Sequence, residues 1–242
     1  MIAYEGTSYL GWQKTKEGPS IEQALETVLE QILQHPVKLQ AASRTDAGVH
    51  AEGQVVNFFT SRENLSLKRL FNSLNSLLAK DIVVKSVEEM AQEFHPTLDC
   101  CSKEYHYWIC FGSYQLPQHR FFSWHIHHFL DFDALRLASA YLIGHHDFSS
   151  FTNKKKNESY THLERCVDSI QILEHPSQRL QVILKGNNFL YKMARNLVGT
   201  LVDVGTGKFQ ASQLPAIFEG RSRILSGVTA PAHGLTLYQV NF

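Results

Sequence analysis

The 242-residue sequence contains no apolar run long enough to span a membrane, and its opening stretch, "MIAYEGTSYLGWQ", lacks the apolar core of a secretory signal. Cysteine is scarce: Cys100, Cys101, Cys110 and Cys166, with no C-x-x-C among them. Two of these are adjacent, a spacing that suits neither a zinc site nor a disulfide framework, so reduced thiols in a cytoplasmic protein are expected. An excess of charge is also missing, since 23 Lys/Arg balance 23 Asp/Glu. The global basic field of many nucleic-acid binders is therefore absent. The balance is uneven along the chain, however. Residues 1–99 hold 9 Lys/Arg against 13 Asp/Glu, and residues 100–242 hold 14 against 10. A polyanion would find more of its field in the second half. "GTGK" (Gly205–Lys208) lacks the upstream glycine of a phosphate-cradling loop. "HIHH" (His125–His128) and "GHHD" (His145–Asp147) have no Cys or Glu at a matching ligand spacing, so no metal is expected.

What is present is a regular alternation of strand and helix patterns. After a short strand in "MIAYE", "PSIEQALETVLEQILQ" places Ile21, Ala24, Leu25, Val28, Leu29, Ile32 and Leu33 on one helical face. Ser20 with Gln23 forms a capping signature, and His35-Pro36 ends the helix. "VKLQAA" and "GQVVNFF" read as strands. "LSLKRLFNSLNSLLAK" is a second helix with Leu67, Leu70, Phe71, Leu74, Leu77 and Leu78 inward, and "DIVVKSV" is a strand. The second half repeats the order. "KEYHYWICF" alternates, with Tyr105, Tyr107, Ile109 and Phe111 on one face. "DFDALRLASAYLIG" is a helix, and "CVDSIQILE" and "RLQVILKG" are strands. "FLYKMARNLVGTLVDVG" is a helix burying Leu190, Met193, Ala194, Leu197, Val198, Leu201 and Val202, and "HGLTLYQVNF" is a closing strand after an added helix, "ASQLPAIFEG". The expected fold is α+β. Two tandem ferredoxin-like β-α-β-β-α-β units, residues 1–99 and 100–242, would form an extended mixed, mainly antiparallel sheet. Helices would cover one face and a cleft would cross the other.

One stretch concentrates chemistry. "AASRTDAGVHAEGQVVNFF" puts Arg44, Thr45, Asp46, Gly48 and His50 between two strand patterns. Asp before Ala-Gly is ordinarily a turn residue bonding its own backbone. An arginine two residues away changes that reading, because a nearby cation keeps a carboxylate ionised and fixed in direction. Such a carboxylate can act as nucleophile or base. Arg195, among core residues of the last long helix, is a half-buried arginine that needs an anionic partner. "TNKKKNES" reads as a solvated loop whose Lys154, Lys155 and Lys156 could contact phosphates.

The block "SRTDAGVHAEGQV" resembles the signature of the tRNA pseudouridine synthase A family. The resemblance extends over nearly the whole chain, through "YEGTSYLGWQ", "KEYHYWI", "LIGHHDFSSF", "NFLYKMARNLVGTL" and "TAPAHGLTL" in order. It implies isomerisation of uridine to pseudouridine in the anticodon stem-loop of tRNA, at about positions 38 to 40, on a base that has left its stack. No cofactor or metal is implied, and tRNA bound across a homodimer is. By the same resemblance Asp46 is the catalytic carboxylate, and Arg44 reaches toward the space the base vacates. Tyr105, with Tyr107 as the competing choice on the same face, stacks on the uracil and helps remove the C5 proton. Arg195 pairs with Asp46 across the cleft, and Leu235 forms an apolar wall of the base pocket. Three features depart from the family: a short first strand, Glu5 where Asp is usual, and Thr97 where arginine is common. The rival readings are a family-like RNA-binding protein that has lost activity and an aspartate-nucleophile hydrolase. The second would need another acid/base carboxylate, for which no candidate stands out.

Overall fold

The computed structural model describes residues 1–153 and 162–242. The Lys154–Lys156 run lies outside the described residues. Along the chain come β1 (Ile2–Tyr4), α1 (Ile21–Leu33), β2 (Gln40–Ala41), β3 (His50–Gln54), β4 (Val56–Asn57), α2 (Leu67–Leu77) and β5 (Ile82–Val84). Then follow β6 (Ser102–Phe111), β7 (Trp124–Ile126), α3 (Phe132–Leu142), β8 (Gly144–Asp147), β9 (Glu164–His175), β10 (Arg179–Gly186), α4 (Met193–Gly205), α5 (Leu214–Glu219) and β11 (Leu235–Asn241). The chain divides into two compact units: Met1–Cys101 with Thr236–Phe242, and Ser102–Leu235. Both are α+β, and in each the sheet is mixed and mainly antiparallel. Among the described residues no helix is long and apolar enough to cross a membrane.

In the first unit the sheet order is β5–β1–β3–β11. β1 runs antiparallel to both β3 and β5, and β11 runs parallel to β3. Helix α1 starts as its sequence requires, with Ser20 Oγ accepting from the Gln23 N–H, and ends at Gln34 in the left-handed region. Leu25, Leu29 and Leu33 are buried on its inner face, and Leu70 and Leu74 on that of α2. Leu67 and Leu77, expected inward, are exposed at the two ends of α2, whereas Leu78, just past its end, is buried. The strand expected over "VKLQAA" shrinks to Gln40–Ala41. The N–H groups of Val37 and Leu39 are taken instead by the carboxylates of Glu30 and Glu26 on α1, so they join no ladder. The strand expected over "GQVVNFF" begins earlier, at His50, and breaks at Val55, beyond which β4 pairs with β2.

In the second unit the order is β6–β10–β9–β8, all antiparallel, with β7 parallel to β6. Tyr105, Tyr107 and Ile109 lie opposite Leu184, Val182 and Leu180 of β10, and all six are buried, as the alternation in β6 requires. Helix α4 differs from its expected form. It begins at Met193, not Phe189, because Lys192 adopts a left-handed conformation. It also has no solvent face: every residue in it except Arg195 is buried. The polar stripe Asn196, Thr200 and Asp203, outside the apolar face named from the sequence, is covered by the segment Ser226–Ala230. The N–H groups of Gly227 and Val228 donate to Thr200 Oγ1 (2.9 Å) and Asp203 Oδ2 (3.0 Å), and the Thr229 hydroxyl donates to Asn196 Oδ1 (2.7 Å). Gly199 permits this approach, since a Cβ there would lie 1.7 Å from the Val228 carbonyl oxygen.

Candidate active site

Asp46 lies in the loop that leads into β3, half-buried, with Arg44 exposed before it. Among the described residues no ion pair joins Arg44 to a carboxylate. The Asp46 carbonyl accepts from the Val49 N–H at 3.1 Å, closing a turn with Gly48 at its third position and φ 77°. The loop is held on both sides. The Gln54 amide bonds the backbone of Ser43 in both directions (2.6 and 3.2 Å), and the hydroxyls of Tyr4 and Thr45 share a buried bond of 2.8 Å. Trp12 N–H donates to the Thr45 carbonyl, and Gly48 N–H to that of Tyr9. The sequence singles out Thr45 but neither Tyr4 nor Gln54. The available signal was a buried-strand pattern carrying a glutamine, because a buried amide must satisfy both its ends.

The opening block "GTSYLGW" supplies the platform beneath this loop. Gly11 has φ 95°, and a Cβ on it would come within 2.7 Å of the Thr45 carbonyl and 3.0 Å of the Ala47 nitrogen. Gly11→Ala should therefore cost stability twice, through left-handed strain and through displacement of the Asp46 loop, for a total of about 2–4 kcal/mol in denaturant unfolding. Gly207→Ala is the control. That residue has φ 78° but nothing within 4 Å, so only the strain, about 1–2 kcal/mol, should appear. Equal losses would show that the close approach of the loop to Gly11 contributes nothing.

The second unit carries the other expected residues. Tyr105 is buried on β6, its ring edge-on to Phe189 at 5.1 Å. Tyr107 is fully buried. Its hydroxyl donates to the Pro231 carbonyl at 2.8 Å, and its ring fills the space a Cβ on Gly234 would need. Burial pushes the Tyr107 phenol well above its ordinary range, with Arg195 pulling the other way. Tyr107 therefore stays protonated as a hydrogen-bond donor. Arg195 donates from Nε to the Ala230 carbonyl at 2.7 Å. Leu235 is buried at the start of β11. Lys103, overlooked in the sequence, is only 4% exposed and donates to Asn188 Oδ1 at 3.0 Å. Its strand spacing puts it on the Tyr105 face, a signal that the alternation already contained.

The histidine clusters have structural duties. His125 bonds the Gly112 carbonyl, His146 stacks on Phe218, and Asp147 pairs with Arg221. Among the described residues no three His, Cys, Asp or Glu side chains group as a metal ion would need. "GTGK" forms the C-terminal turn of α4, with Lys208 paired to Asp203.

The sequence pattern of the tRNA pseudouridine synthase family matches residues 1–99 and 138–242. The tRNA pseudouridine synthase A 2 of Protochlamydia amoebophila is 52% identical over 241 residues, covering 99% of this chain and 91% of that one. The tRNA pseudouridine synthase A of Chlamydia muridarum is 39% identical over 244 residues (99% and 89%). That of Pelobacter propionicus is 39% identical over 241 residues (100% and 97%). The likeness to these relatives runs through residues 100–137 as well, where Tyr105 lies. This chain belongs to the tRNA pseudouridine synthase family and is an isomerase by class.

Proposed function

We propose that this protein converts uridine to pseudouridine in the anticodon stem-loop of tRNA, at about positions 38 to 40, acting on a base turned out of its stack. The observation that carries this reading is the loop around Asp46. Its backbone is fixed on both sides and Asp46 itself is half-buried, as a positioned nucleophile or base should be. The bond between N1 and C1′ breaks, the uracil rotates, and C5 bonds to C1′. C5 then loses its proton and N1 gains one, so atoms and charge balance with no cofactor. Asp46 starts the sequence, by attack at the nucleoside or by taking a ribose proton. Tyr105 stacks on the uracil and assists loss of the C5 proton. Arg195 supplies the cation that keeps the carboxylate charged, Arg44 reaches toward the vacated stack, and Leu235 walls the base.

In this reading each unit is ferredoxin-like. The neighbouring order β6–β10–β9 supports it for the second unit, since first, third and second strands lie side by side there, with α3 against α4. The enzyme works in the cytoplasm as a homodimer, and a strict monomer with full activity would contradict that. The test of the reaction is release of tritium from C5-labelled uridine in tRNA. Release matched by pseudouridine is expected. Binding without release would mark an RNA-binding protein that has lost activity, and free uracil would mark a hydrolase.

Lys154, Lys155 and Lys156 are assigned to phosphate binding. Replacing all three should make the dependence of log affinity on log salt shallower, by about 0.7–0.9 for each phosphate no longer neutralised, with turnover retained. An unchanged slope would remove this run from the interface.

A further inference from the structure

Arg223 lies in a short helical turn, Arg223–Leu225, and its guanidinium is half-buried. All five of its N–H groups have acceptors, and none of these is a carboxylate. Nε donates to Asn153 Oδ1 (3.3 Å). Nη1 donates to Ser226 Oγ (2.9 Å) and the Gly227 carbonyl (2.8 Å). Nη2 donates to Asn196 Oδ1 (3.0 Å) and Thr229 Oγ1 (2.7 Å). Among the described residues it has no counter-ion, and burial lowers its pKa, so the site costs stability that a neutral side chain would not. Only the planar five-donor fork of arginine can satisfy this set of oxygens at once.

The groups it joins form one path. Asn196 belongs to α4 and follows Arg195. Ser226, Gly227 and Thr229 belong to the segment that covers the polar stripe of that helix. The next residue, Ala230, holds Arg195 twice: its N–H donates to the Arg195 carbonyl (3.1 Å), and its own carbonyl accepts from Arg195 Nε (2.7 Å). The carbonyl after it, on Pro231, accepts from Tyr107. Two consecutive carbonyls thus fix one guanidinium and one phenol, and the segment that carries them is bolted to α4 through Arg223.

We propose that Arg223 is a positioning residue for the reaction: it clamps residues 226–230 onto α4 and so sets the plane of the Arg195 guanidinium through the Ala230 carbonyl. This rests on the reading of Arg195 as a residue of the site. A small rotation of Arg195 would leave tRNA binding intact and misplace charge at the moment of reaction.

The test uses Arg223→Lys, which keeps the charge and loses the fork, beside Arg195→Ala and the double variant. The single-turnover rate of Arg223→Lys on tRNA should fall about tenfold to a hundredfold with affinity changed less than about twofold. The double variant should be no slower than Arg195→Ala alone, because both changes remove one interaction. Amide exchange at Gly227 and Ala230 should accelerate in Arg223→Lys. A residue serving stability alone would lower the melting temperature and leave the rate of folded enzyme unchanged. A double variant slower than Arg195→Ala by the full factor seen for Arg223→Lys, or a wild-type rate for folded Arg223→Lys beside a slow Arg195→Ala, overturns the positioning role only. A wild-type rate for Arg195→Ala overturns the reading of Arg195, and the proposal with it. If Arg223→Lys does not fold, Thr229→Val replaces it. It removes two bonds of the clamp, the one from Arg223 and the one to Asn196, and should slow the reaction with the same lack of additivity.

Discussion

Asp46→Asn should yield a folded protein that binds tRNA and makes no detectable pseudouridine, a rate loss of at least about a thousandfold. Asparagine matches aspartate in shape and removes only the ionised oxygen, so nucleophile and base are lost together. The fold should survive because the loop is fixed through other groups: the Asp46 carbonyl to Val49, the Thr45 carbonyl to Trp12, and Gln54 to Ser43. None of these bonds uses the Asp46 side chain. The measurements are pseudouridine content of the tRNA, melting temperature and tRNA binding, made on one preparation. Appreciable turnover by folded Asp46→Asn would remove Asp46 from the chemistry, whatever the resemblance to other synthases.

Tyr105→Phe should separate the ring from the hydroxyl. The ring keeps its edge-on packing against Phe189 and its stacking surface, worth about 1–3 kcal/mol per base, so tRNA binding should stay near wild type. Release of C5 tritium should slow by about 10²–10⁴-fold, the range for loss of a positioned proton-transfer group. Tyr107→Phe shares the strand face but has a different expected result. Its hydroxyl holds the Pro231 carbonyl in a buried bond, so stability should fall by about 1–2 kcal/mol with the rate changed only a few-fold. Tyr105→Phe at full speed, or Tyr107→Phe stable but inactive, would show that the roles of the two tyrosines are reversed.

What the sequence shows of this molecule is set by how local each interaction is. The Ser20 cap of α1 is legible because its partner lies three residues away, and the faces of β6 because side-chain alternation is a property of the strand itself. Asp46 stands out because its arginine and glycine neighbours are adjacent in the chain. The shortening of the strand before β2 is not legible, since it depends on carboxylates of α1 capturing the Val37 and Leu39 amides. Nor is the burial of the polar stripe on α4. Asn196, Thr200 and Asp203 have the spacing of a solvated face, and only a segment far along the chain turns them inward. Lys103 is a different case: strand periodicity places it beside Tyr105, but a lysine is ordinarily assigned to the surface before its position is considered.

The parallel pairing of β11 with β3 governs the order in which the protein can mature. Residues 236–242 belong to the first unit, so β3, the strand that follows the Asp46 loop, gains this neighbour only after the whole second unit has been synthesised. At translation speeds of about 5–20 residues per second, a nascent chain spends many seconds with its first sheet incomplete and one strand edge open. The first unit therefore completes its sheet only after the second has been made, and a ribosome that stalls before residue 236 leaves it without this strand.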